Sequence, residues 1–178
     1  MKPEIIEIPL SKKKLVLMLA GSIGFVAAGI WFLLNPPNIN NALFGNPTFI
    51  LVISIAAILF FGIIAFYIIR KLPDNRPGLI IDQLGITDNS GGLSAGQILW
   101  TDIENISVFE INRQKLILLQ VKNPEDYINR QSSAFKRKLM QINFNSYGSP
   151  ISISANSLQI GFNELLSILT DQFEANSW

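Results

Sequence analysis

Cysteine and histidine are both missing from this 178-residue chain. Without cysteine there is no disulfide, no zinc thiolate and no thiol nucleophile. Without histidine, the commonest general base, the commonest transition-metal ligand and the side chain that titrates nearest neutral pH are gone too. Charge is sparse, at 15% of residues, and nearly cancels to +1. It is unevenly placed. Lys2, Lys12, Lys13, Lys14, Arg70 and Lys71 lie in the first 71 residues, whereas Leu72–Trp178 carries eight Lys/Arg against eleven Asp/Glu, a net −3. A mildly acidic segment has no electrostatic footprint for nucleic acid, so no such partner is expected. These absences argue against an enzyme. No catalytic residue, metal ligand or cofactor is assigned.

Two long uncharged runs dominate what is present. Leu15–Leu34 and Thr48–Ile69 contain no Asp, Glu, Lys or Arg, and each has about the 20 residues that a helix needs to cross a hydrocarbon core. A signal peptide would have a shorter apolar core and a small-x-small cleavage site directly after it. Here Asn35-Pro36-Pro37 breaks the first run and a second run follows. The reading is a hairpin of two transmembrane helices. The loop between them has no charge, lysines precede the first helix and Arg70-Lys71 follow the second. The positive-inside bias therefore places both termini in the cytoplasm and the loop outside. No ionisable side chain lies inside either run, so no ion path is expected.

The chain divides accordingly. Residues 1–14 are a cytoplasmic N-terminal segment, 15–34 the first transmembrane helix, 35–47 an extracytoplasmic loop and 48–69 the second helix. A Pro/Gly-bearing linker follows at 70–77, and then a cytoplasmic domain at 78–178 of a length that folds without its anchor. On the first helix Ala20, Gly24 and Ala28 recur at spacing four. Such a ridge lets backbones approach in lipid, either against this chain's own second helix through Ser54, Gly62 or Ala65, or as a seam between two copies.

The domain reads as short β-strands: Leu79–Asp82, Ile86-Thr87, Gln97–Trp100, Ile103–Ile111, Leu116–Val121 and Ile151–Ser154, separated by glycine, proline and asparagine turns. Pro124 opens a helical stretch toward Met140, as one helix or as two shorter ones. The end of the chain changes period. Phe162, Leu165, Leu166, Leu169 and Phe173 form one apolar stripe of an amphipathic helix. The expected architecture is an α+β, mainly antiparallel β, barrel or bent sheet closed by that C-terminal helix.

Three patterns carry chemistry by letter alone. Gly92-Leu93-Ser94-Ala95-Gly96 matches a G-x-S-x-G nucleophile elbow, but that motif needs a following helix and a histidine. Asp88-Asn89-Ser90-Gly91 resembles the start of a calcium loop without its later bidentate glutamate. Asp102 and Glu104 alternate at a strand start, where charge discourages edge pairing. All three read as turns or solvated edge. Trp100 reads as core. The remaining cluster is basic: Arg130, Lys136, Arg137 and Lys138, with Phe135 among them, has the composition of a helix lying on an anionic bilayer surface.

Leu79-Ile80-Ile81-Asp82, Gly85-Ile86 and Gly96-Gln97-Ile98-Leu99-Trp100-Thr101-Asp102-Ile103 resemble the opening of bacterial pleckstrin-homology-like domains. With Asn123–Ile128, Gly148–Ile151 and the final leucine-rich helix, the chain resembles the STM-type family of bacterial two-pass membrane proteins with such a cytoplasmic domain. The resemblance covers essentially the whole chain. It implies fold and topology, and it transfers no site residue. The function expected from these readings is a membrane-anchored, non-catalytic interaction module. Its partners are the lipid bilayer and either a protein or a second copy of itself. The alternatives are a small homo-oligomeric accessory subunit of a membrane complex, or an enzyme of envelope or lipid metabolism.

Overall fold

A computed structural model describes residues 5–37, 46–111 and 113–176. The predicted loop at 35–47 falls mostly outside them. The chain forms two compact units, one of Lys12–Asp74 and one that joins Met1–Ser11 to Asn75–Trp178.

The first unit is an antiparallel pair of helices, α1 (Lys12–Leu34) and α2 (Pro47–Lys71). Both are long and apolar enough to cross a bilayer. Asn46 caps α2, accepting from the backbone N–H of Thr48 at 3.0 Å and of Phe49 at 3.4 Å, and Pro47 fills the position where no N–H is needed. At the other end of α2, the Lys12 ammonium donates to the carbonyls of Leu72 and Asp74, which α-helix geometry leaves unpaired. Phe25 and Phe61 stack at 4.2 Å.

The small-residue ridge is not the seam of this pair. Ala20, Gly24 and Ala28 are all exposed, and a Cβ added to Gly24 would meet nothing within 4 Å. The buried residues of α1 are Leu15, Ser22 and Gly29, seven apart, the repeat that keeps one stripe against a neighbouring helix. The closest approach is at Gly29, where a Cβ would come 2.8 Å from Ile58 Cγ1 and 3.2 Å from the Ser54 carbonyl. At about 100° per residue, Ala20 and Gly24 fall on the side of α1 away from Leu15, Ser22 and Gly29, and Ala28 flanks the seam. Of the partners expected on α2, Ser54 is buried, while Gly62 and Ala65 are only half-buried.

The second unit contains two antiparallel sheets. In the first, β1 (Ile6–Ile8), β2 (Leu79–Ile81), β3 (Gly85–Asp88) and β4 (Gly96–Leu99) lie in that order. In the second the order is β5 (Ile103–Ile111), β6 (Gln114–Val121) and β7 (Ile151–Ile153). No closed barrel forms. A 3-10 turn at Trp100–Asp102 takes the chain out of the first sheet, and the second begins immediately after it. Trp100 is buried in this corner and its indole N–H donates to the Asp82 carbonyl at 2.8 Å. The side chain is core, as expected, but from a turn and not from a strand.

The sequence reading leaves residues 1–14 outside the domain. In the structure their apolar part is a strand of it. Ile6, Glu7 and Ile8 pair with Ile81, Ile80 and Leu79. The chain beyond β1 then bonds to a distant segment, with Gln159 N–H donating to the Pro9 carbonyl at 2.9 Å and Ser11 N–H to the Ser157 carbonyl at 2.8 Å. Ile8 and Leu10 are buried in the core. Gly78 makes the junction close-packed: a Cβ there would lie 2.4 Å from Leu158 Cδ2, and that buried side chain would have to shift. The two long helices are thus an insertion between neighbouring strands of one sheet.

Three helices complete the unit. The stretch after Pro124 resolves into two, α3 (Pro124–Asn129) and α4 (Ala134–Tyr147), and α4 runs past Met140 to a left-handed Gly148. The last helix, α5 (Phe162–Asn176), buries Leu165 and Leu169 completely. Phe162, Leu166 and Phe173 pack half-buried against the same core. The stripe faces inward as its spacing predicts.

Candidate functional site

The predicted basic cluster sits at the joint between α3 and α4, and its members do different things. Arg130 ends α3. Its guanidinium lies 4.0 Å over the Tyr127 ring and donates to the carbonyls of Ala95, at 2.7 Å, and Gln97. Arg137 donates to the carbonyls of Gln131, at 2.5 Å, and Ser132, at 3.3 Å. Both therefore serve backbone carbonyls, a role suited to the five-donor guanidinium. Lys136 is half-buried, and burial pushes its ammonium below the ordinary lysine value, with the Asp88 carboxylate opposing and Arg130 adding to the drop. Arg130, Phe135 and Lys138 are exposed, and of these Arg130 is already engaged with the Ala95 and Gln97 carbonyls.

The loop that these residues hold is the one containing both letter motifs. Asp88 ends β3 and is 4% exposed. Its carboxylate accepts from Ser90 N–H at 2.8 Å, from the Ser90 hydroxyl at 2.6 Å and from Ala95 N–H at 3.2 Å. Burial pushes this carboxyl above the usual carboxylate range, and the hydrogen bonds and Lys136 pull the other way. The acid therefore folds the Ser90–Ala95 loop. Gly96 leads into β4 and not into a helix, which is the wrong geometry for a nucleophile elbow. Asp102 accepts the Tyr127 hydroxyl at 2.6 Å. Burial first, and then that carboxylate, push the Tyr127 phenol up to about 12. Among the described residues no group of three Asp or Glu side chains converges as a metal site would require.

A raised carboxyl pKa has a fixed sign in stability. The folded chain holds the Asp88 proton more tightly than the unfolded one, so this contribution is full below the ordinary aspartate range and is lost as pH rises through the raised value. In urea unfolding across the acidic range, the stability of wild type relative to Asp88→Asn should fall as pH rises and then level off. A rising difference would contradict the burial-dominated environment.

What remains for an external contact is a stripe on the outer side of α4. Phe135 is 71% exposed and Ile142 is 49% exposed, with Lys138 between them. Positions i, i+3 and i+7 share one helix face. Leu139 and Met140, which alternate with the charges in sequence, are half-buried and buried. Ile142 is the member that sequence reasoning misses; its helical spacing from Phe135 is the signal that marks it.

Comparison of the chain with protein-family models, with curated proteins and with solved structures finds no match.

Proposed function

We propose that this protein is a membrane-anchored, non-catalytic interaction module: a pleckstrin-homology-like domain held at the cytoplasmic face of a bacterial inner membrane by a two-helix hairpin. The observation that carries the reading is the insertion of α1 and α2 between β1 and β2. Three residues separate β1 from α1, and seven separate α2 from β2. Antiparallel pairing of β1 with β2 brings both ends of the hairpin into one domain, which supports a topology with both termini on one side of the bilayer. The basic residues Lys12, Lys13, Lys14, Arg70 and Lys71 favour the cytoplasm as that side. Two antiparallel sheets closed by α5 support the pleckstrin-homology-like fold and, with it, the resemblance to the STM-type family.

In this reading the outer stripe of α4 rests on the bilayer and the opposite side of the domain is left for a partner. Phe135 and Ile142 supply apolar contact and Lys138 supplies one charge near an anionic surface, on the order of 1 kcal/mol. Tethering by two connections makes so weak a contact sufficient. Full-length chain carrying Phe135→Trp, reconstituted in vesicles with brominated lipid, should show fluorescence quenching beyond that of wild type, and Lys138→Glu should reduce it. An added tryptophan that stays unquenched would assign this stripe to a protein partner. Orientation is read separately: a single cysteine placed at 38–41 should be labelled only from outside.

A second reading is favoured by one observation. Ala20 and Gly24 are exposed on the side of α1 away from its buried residues, and Ala28 is exposed at the edge of the contact with α2, which leaves the ridge for a seam between two copies.

A further inference from the structure

The two long helices enclose a cleft beside their closest contact. A cavity of about 380 Å³ is lined by Phe25, Ala28, Phe32, Ile53, Ser54 and Ala57, among others. A second of about 140 Å³ shares Phe32 and Ile50 with it and reaches Pro36 and Pro47. From Pro47 to Ala57 this cleft follows α2 for about 15 Å, half the thickness of a hydrocarbon core. It cannot be closed by moving the helices together, because Gly29 already brings α1 against Ile58 and the Ser54 carbonyl.

Among the described residues no charged side chain lines either cavity, and Ser54 is the only polar one. Its hydroxyl is buried without a hydrogen-bond partner. Ser22 on α1 shows the usual solution for a helix serine, donating to the carbonyl four residues back, Met18, at 2.9 Å. Ser54 does not adopt it. A buried hydroxyl left unpaired is destabilising, and one retained at a cleft marks a missing partner.

We infer that the cleft holds a neutral, membrane-dissolved molecule with a long apolar body and one hydrogen-bonding oxygen, which pairs with Ser54 Oγ. The inference rests on the reading that the two helices span a bilayer. The oxygen is uncharged because nothing in the cleft would compensate a buried charge. The body is apolar and extended because the walls are aliphatic and phenyl over the length of one leaflet. Ala28 and Ala57 leave the space; a larger side chain at either would fill it. An ordinary acyl chain would occupy the cleft without preference for an oxygen, and a second copy would exclude both.

The test uses the full chain in phosphatidylcholine vesicles with two photoreactive probes: a diazirine-bearing long-chain alcohol and the matching hydrocarbon without the hydroxyl. Alkaline extraction comes first; release of the chain overturns the spanning reading and this inference together. If the chain is retained, the alcohol should label cleft residues about fivefold more than the hydrocarbon, the factor expected of one net hydrogen bond. Ser54→Ala should equalise the two probes, and Ala57→Phe should abolish labelling by both. Equal labelling of wild type by both probes, or a preference that survives Ser54→Ala, overturns the inference while leaving the spanning reading intact. A disulfide that forms quantitatively between two copies carrying Ala28→Cys, with loss of labelling, overturns it in favour of a second copy.

Discussion

Removing residues 1–11 is expected to cost the soluble unit most of its stability. The segment supplies β1 and places Ile8 and Leu10 in the core at 4% and 3% exposure. Burying two such side chains contributes about 3–6 kcal/mol, against the roughly 5–15 kcal/mol by which domains are stable at all. The N–H groups of Gly78 and Gln159 and the carbonyl of Ser157 also lose their partners, which are the Ile8 and Pro9 carbonyls and the Ser11 N–H. A fragment of 78–178 alone should therefore aggregate or melt without cooperativity, contrary to the expectation from its length. Joining 5–11 to 75–178 through a flexible Gly/Ser linker of about eight residues, which spans about 15 Å, should restore a cooperative transition. Urea unfolding followed by Trp100 fluorescence compares the two. Equal stabilities would mean that β1 is dispensable.

The second large effect is expected from Leu169→Asp. Leu169 is fully buried one helical turn after Leu165, on the face of α5 that packs against both sheets' side chains. A carboxylate there has no cation within the apolar cluster, and burial of an unpaired charge costs several kcal/mol. The substitution should abolish the cooperative melt of the linked domain. Leu166→Asp, at a half-buried position of the same stripe, should cost measurably less because its carboxylate can reach water. If the two variants melt alike, α5 is seated differently on the core.

The long helices and α5 are legible in the sequence because their signals are local. Charge-free runs of about 20 residues and a stripe at i, i+3, i+4, i+7 and i+11 depend on nothing outside the segment. The turn at Asp82 is similar: its carboxylate accepts from the N–H groups of Leu84 and Gly85 at 2.9 and 3.1 Å, two and three residues on. The exclusion of an elbow at Ser94 also needed only the missing histidine and the strand that follows.

The basic cluster shows where such reading fails. In sequence, Arg130, Lys136, Arg137 and Lys138 are equivalent positive charges near Phe135. In the structure, the carbonyls of Ala95, Gln97, Gln131 and Ser132 occupy two of them, and burial near Asp88 restrains a third. The Ala95 and Gln97 carbonyls become visible as partners only once the fold has brought them beside the end of α3. The small-residue ridge fails for a related reason. Ala20, Gly24 and Ala28 have the composition of a seam, but which face of α1 meets α2 depends on crossing geometry, and Gly29 wins.

Composition and periodicity by themselves determined the helical hairpin, the antiparallel β character of the domain, its amphipathic closing helix and the lack of His and Cys chemistry. Tertiary structure alone decided that Ile6–Ile8 pairs with Leu79–Ile81 across the whole hairpin, that two sheets form without closing a barrel, and that Ser54 is buried without a partner. The physical reason is the range of the interactions. Helix periodicity and turn chemistry are encoded within a few residues, whereas strand partners, helix faces and hydrogen-bond satisfaction depend on groups that only the folded chain brings together.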